Sequence, residues 1–370
     1  MKKSFFILFL AAAFLASCSS DDSSPVNPPV DGGNPIAEGS IVQPNVGGPN
    51  QPNQVYIDFS SGQSAAVVRT SWDLGFYSGP EFRVVLNTSL KMAVKKLETT
   101  NIDEVQEADP SVNVSFATDA TLGYVDNPTG ILTGNGGGEG TAIAEISATD
   151  SENKVYLVNM GLGLSTTVPT VGSVNVDGAA RGWKKIRILR SGNDYKIQYA
   201  DLNATTHQEF TISKDPSYNF TFFSMVDNKV TSVEPKKGDW DLNFTTFTNY
   251  YPYQGGYVLY PFADYTLLNI KGGTRVYEII TENDPNGGEA AYNAFALLNV
   301  ESSRFEASAA DHRFINWRTE AGPNTTMTVK TDRFYILKDS DGNIYKVLFR
   351  ALKNDLGERG HPIFEYKLLK

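Results

Sequence analysis

The chain has 370 residues, 41% hydrophobic and 12% aromatic, with 42 acidic against 32 basic side chains and a net charge of −10. An acidic surface repels phosphate backbones and anionic headgroups, so nucleic acid is excluded as a partner and a small molecule or a protein is expected. A lone cysteine, Cys18, excludes an intrachain disulfide, and with three histidines and no His-x-x-x-His spacing a histidine-rich zinc site is not expected.

In chain order, residues 1–18 have the pattern of a lipoprotein signal peptide. Met1-Lys2-Lys3 is a basic head, Phe5 to Leu15 is an apolar run too short to persist as a spanning helix, and Leu15-Ala16-Ser17-Cys18 is a lipobox whose cysteine takes the lipid. Residues 19–53 interleave Pro25, Pro28, Pro29, Pro35, Pro44, Pro49 and Pro52 with Gly and Asn, a composition expected to form a disordered tether. Ser19-Ser20-Asp21-Asp22, acidic and directly behind the anchor, resembles the signal that sends lipoproteins of the Bacteroidetes to the outer face of the outer membrane, which implies surface display.

From residue 54 the texture is β. Val55–Phe59, Phe82–Leu86, Lys154–Val158, Lys184–Leu189 and Tyr345–Phe349 are short runs rich in Val, Ile, Tyr and Phe, separated by turn residues. Two helices are expected: one from Asn101, an N-cap with Glu104 three residues on, as far as Pro110, and one over Glu289–Leu298. The glycine run at 134–140 lacks the lysine and hydroxyl of a phosphate loop. Asp339-Ser340-Asp341-Gly342-Asn343 opens like a calcium loop but has Arg350 at the closing position, so a hairpin turn is expected. No Gly-x-Ser-x-Gly elbow occurs, and no catalytic residue is assigned.

The chain repeats itself. Ser71-Trp72-Asp73-Leu74-Gly75-Phe76 returns as Asp239-Trp240-Asp241-Leu242-Asn243-Phe244, and Trp72 to Trp240 is 240 − 72 = 168 residues, the size of an ordinary domain. Ile188 to Tyr199 aligns with Ile336 to Phe349 as a second repeated hairpin, and His207 and His361 each precede a phenylalanine by three residues. An internal duplication is expected, giving an all-β body of two similar antiparallel lobes, residues 54–215 and 216–370, with few short helices. Within each motif Trp, Leu and Phe should share one strand face, and the intervening Asp should be solvated or bonded to a neighbouring turn.

The stretches Val55–Phe59, Ser71–Gly79, Phe82–Asn87, Asp239–Phe244, Phe334–Asp339 and Gly357–Tyr366 resemble those of HmuY-like lipoproteins of the Bacteroidetes. The resemblance implies a non-catalytic, surface-exposed lipoprotein that captures haem and passes it to an outer-membrane receptor. It also implies histidine or methionine ligands to the haem iron. His312, Met327 and His361 are the candidate ligands, Phe314 and Trp317 candidates to stack on the porphyrin, and Arg313 or Arg318 a candidate partner for a propionate. Aromatic richness also suits glycan or protein binding, and Asn249-Tyr250-Tyr251-Pro252-Tyr253 with Tyr257, Tyr260 and Tyr265 is the densest cluster.

Overall fold

The computed structural model describes residues 30–31, 39–116, 119–134, 137–305, 315–320 and 326–370. Its strands form four antiparallel sheets. The first sheet has the order β1 (Val30–Asp31), β4 (Ser64–Val68), β3 (Asn53–Ile57), β14 (Leu242–Tyr253) and β15 (Gly256–Leu268). The second is β13 (Lys229–Thr231), β12 (Phe220–Ser224), β5 (Leu74–Tyr77) and β6 (Val84–Leu86). The third runs from β11 (Gln208–Ile212) through β10 (Asp194–Asp201), β9 (Trp183–Ser191) and β8 (Tyr156–Asn159) to β7 (Ala93–Lys96). The fourth is β16 (Arg275–Ile280), β17 (Arg333–Lys338), β18 (Ile344–Lys353), β19 (Arg359–Leu368) and β2 (Ser40–Val42).

Strand alternation sorts side chains into three layers of core. Leu74, Phe76 and Phe223 of the second sheet meet Val158, Ile188 and Tyr195 of the third. Val55, Ile57, Leu242 and Phe244 of the first sheet meet Leu337, Val347 and Phe364 of the fourth. The outward faces of the first and second sheets then close on each other through Tyr56, Val67, Trp72, Phe222 and Trp240. The molecule is two β-sandwiches packed back to back, all-β and duplicated as the sequence repeats imply.

The halves exchange their first hairpins. β3 and β4 precede the first Trp-Asp-Leu motif in the chain, yet β3 pairs with β14 of the second, with Leu242 opposite Ile57. β12 and β13 precede the second motif, yet β12 pairs with β5 of the first, with Leu74 opposite Phe223. Each motif aspartate fastens the hairpin it receives: the Asp73 carboxylate accepts the Met225 N–H at 2.7 Å, and Asp241 accepts the Phe59 N–H at 2.9 Å. Asp73 is fully buried and paired with Arg181 at 2.6 Å. The expectation of a solvated Asp, or one bonded to a nearby turn, therefore gives way to a clasp on a segment about 150 residues away. Trp72 also leaves Leu74 and Phe76, because it stands ahead of β5 and packs between the sandwiches against Phe222.

Other local expectations are adjusted by packing. Asn101 does cap a turn, its Oδ1 accepting the Asp103 N–H, but the helix expected as far as Pro110 is one 3-10 turn, Ile102–Glu104. The residues after it have no apolar stripe to bury, and the Val105 carbonyl is taken by the buried ammonium of Lys185 at 2.6 Å. The second expected helix forms as α1 (Gly288–Ala294), stopping short of Leu298. Asp339 Oδ1 accepts the N–H groups of Asp341 and Asn343, closing the β17–β18 hairpin as expected. From Gly39 the Pro-rich stretch is folded rather than a tether, since β2 lies on β19 with Ile41 opposite Glu365.

Candidate functional site

The two copies of the motif hairpin differ in length. β5 and β6 span 4 and 3 residues, whereas β14 and β15 span 12 and 13, so the second copy grows a long two-stranded ribbon. A bulge between Thr245 and Phe247 re-aims it, and beyond the bulge Phe247 lies opposite Phe262 and Asn249 opposite Tyr260. Alternation then collects Phe247, Tyr251, Tyr253, Tyr260 and Phe262 on one face.

These rings form a continuous ladder. Phe247 stacks on Tyr265 at 5.2 Å, Tyr265 lies 5.7 Å from Phe262, Phe262 4.7 Å from Tyr260, and Tyr260 5.7 Å from Tyr251. Phe116, from the excursion between β7 and β8, closes the outer end against Tyr253 at 4.8 Å. Phe116 is 48% exposed, Tyr253 45% and Tyr260 42%, so a large aromatic area of this face meets solvent, while Tyr257 lies on the opposite face beside Tyr250. Arg318 borders the inner end, with its guanidinium carbon 5.9 Å from the Phe262 ring and its N–H groups donating to the Asp264 and Ala263 carbonyls. Burial pushes that guanidinium below its ordinary pKa, with Asp264 opposing the shift. Such a face can stack a planar ring system or the apolar side of a sugar.

The residues proposed from sequence are not gathered there. His312, Arg313 and Phe314 lie outside the described residues. Trp317 is 1% exposed, stacked on Phe349 at 4.6 Å with its indole N–H donating to Thr266, so it is a core residue and not a porphyrin platform. Met327 packs against the same core, which fits its place as filler and not as an open ligand. His361, on β19, stands beside Gly48 in the hollow formed by Gln43–Gly48, whereas His207 stands just ahead of β11 with its Nδ1 2.9 Å from Asp103. The two histidines are not equivalent in register either: Tyr195 faces Ile212 and Tyr345 faces Leu368, which aligns His207 with Ile363. Met92, Met160 and Met225 are buried in the first sandwich.

Tested against a haem, the described residues suit the porphyrin plane but not its iron. The ladder offers ring faces, while no described histidine or methionine is placed beside it. Sequence reading found the tyrosine cluster but missed Phe116 and Phe262, which join it only through the fold.

The protein is a duplicated all-β body in which one copy of the motif hairpin is drawn out into an aromatic ribbon. The chain belongs to the HmuY family: the family model described as HmuY protein matches residues 50–213 and again 216–366. No curated protein matches the chain. Among solved structures it is similar to the crystal structure of apo PinO from Porphyromonas gingivitis. The match has 17% identity over 49% of this chain and 94% of that one, and a TM-score of 0.17, too slight a likeness to bear on the fold.

Proposed function

We propose that the protein is a non-catalytic, lipid-anchored binding protein that captures haem or a related porphyrin at the cell surface and hands it to an outer-membrane receptor. The observation that carries this reading is the family match to both halves of the chain. Cys18 at the end of a lipobox supports the anchor, and the acidic residues behind it support an outward-facing address. The aromatic ladder of β14 and β15 supplies the surface on which a planar macrocycle would lie, with Tyr253 and Tyr260 as the accessible rings.

Absorbance titration with haemin tests the proposal. A saturable Soret change, weakened in Tyr253→Ala and Tyr260→Ala, is expected; a featureless titration would overturn it. The exposure of Phe116, Tyr253 and Tyr260 on one face also favours glycan capture as a second reading, since sugar faces stack on such rings. Saturable binding to an oligosaccharide array with no haemin response would establish that reading instead.

A further inference from the structure

A cavity of about 180 Å³ lies between the back-to-back sheets. Much of its lining is duplicated, since Trp72 and Trp240, Tyr56 and Phe222, and Leu86 and Leu268 all border it, and the loop from Asp126 to Leu132 completes the wall. Register makes each of these a pair. Leu74 faces Phe223 and Leu86 while Leu242 faces Ile57 and Leu268, so Ile57 corresponds to Phe223, Tyr56 to Phe222 and Gln54 to Phe220. The cavity therefore sits where the two repeats meet as pseudo-symmetric partners.

The symmetry is broken at two positions, and each break leaves a polar atom without a partner. Trp72 packs on Phe222 at 4.7 Å and its indole N–H donates to Gln54 at 3.4 Å. Trp240 packs on Tyr56 at 5.0 Å in the same T-shaped manner, but Phe220 stands where Gln54 would be, and the Trp240 N–H is buried with no hydrogen-bond partner. Gly75, tight against Val85 and Phe222, is replaced in the second copy by Asn243, whose Oδ1 is likewise buried and unpartnered. Trp240 is 8% exposed and Asn243 7%. A buried polar group left without a hydrogen bond is unfavourable, so two on one cavity wall call for an occupant.

Size and charge narrow the occupant. A cavity of ~150 Å³ holds one benzene ring, whereas drug-sized ligands occupy roughly 300–1,000 Å³, so 180 Å³ admits a single ring and not a tetrapyrrole. The titratable groups on the wall are Glu234 and Asp126, pushed up by burial to about 8 and about 7, and Lys271, whose ammonium burial pushes down, so burial disfavours the charged form of each and the wall suits a neutral occupant.

We propose that this cavity is a binding site for a neutral single-ring aromatic or heteroaromatic molecule that accepts a hydrogen bond from Trp240 and donates one to Asn243. The site meets the aromatic ribbon at Phe247, and the proposal does not depend on the porphyrin reading.

The test is a tryptophan-fluorescence titration of the full chain with phenol, benzamide and, as a ring without polar atoms, toluene. Saturable one-to-one quenching by benzamide, at least ten-fold tighter than any response to toluene, is expected. Phe220→Gln gives Trp240 the acceptor that Trp72 has and is expected to weaken benzamide binding at least ten-fold with an unchanged melting temperature. Val85→Phe, which fills the cavity from one wall, is expected to abolish it. No saturable quenching by any probe, toluene bound as tightly as benzamide, or undiminished binding in folded Val85→Phe would overturn the site. Haemin titration of Val85→Phe is expected to match that of the unmodified chain, which separates failure here from failure of the porphyrin reading.

Discussion

Replacing each motif aspartate with asparagine should give two very different costs from one duplicated position. Asp73 is wholly buried, holds the Met225 N–H and pairs with Arg181, which is itself 12% exposed. Asp73→Asn leaves that guanidinium without its counter-charge, and removing one partner of a buried pair costs about 3–5 kcal/mol. Asp241 has no cation; it accepts from the Phe59 N–H and the Thr274 hydroxyl, and burial pushes its carboxyl up to about 7. An asparagine keeps the Phe59 bond through its oxygen, and the Thr274 hydroxyl can turn to accept, so Asp241→Asn should cost at most about 1 kcal/mol near pH 5.

The pH dependence follows with a definite sign. An acid raised in the folded state from about 4 to about 7 contributes stability that is complete below pH 4 and is lost as pH rises through about 7, because the unfolded chain releases the proton first. Between pH 5 and pH 8 the unmodified chain should lose about 3 kcal/mol from this group, and Asp241→Asn should not. Urea unfolding at the two pH values measures both effects. Equal costs for the two substitutions at pH 5, or the same pH loss in Asp241→Asn as in the unmodified chain, would refute the reasoning.

The remaining predictions concern assembly, core and surface. Because β3 pairs with β14 and β12 with β5, the fragments 1–215 and 216–370 made separately should lack their partner strands. Mixed after co-expression they should associate into a folded complex, checked by size exclusion and circular dichroism; two independently folded monomeric fragments would contradict the exchange. Trp317→Ala should cost about 3–5 kcal/mol of unfolding free energy by opening the core against Phe349, measured by denaturant melts, with no selective loss of ligand binding among molecules that remain folded. Tyr253 and Tyr260 are only partly exposed and pack within the ladder, so Tyr253→Ala and Tyr260→Ala should each cost about 1 kcal/mol of unfolding free energy, and a loss of haemin or glycan response is to be measured on protein shown to remain folded.

The sequence by itself determined the β class, the duplication and the hairpin at Asp339–Asn343, because period-two alternation, a repeated Trp-Asp-Leu and turn residues act over a few neighbours and leave their pattern in the chain. It also marked the tyrosine-rich stretch of β14 and β15. Tertiary structure alone decided which hairpin each Trp-Asp-Leu receives, since Ile57 and Phe223 are both apolar strand residues and nothing local tells them apart. It decided that Trp317 belongs to the core, because a tryptophan near arginines has the same spelling whether its ring meets solvent or Phe349. The unpartnered Trp240 N–H was likewise beyond the sequence: it exists because Phe220 stands where its counterpart Gln54 would accept a bond, and that correspondence is fixed only when the strands of the two halves are laid side by side.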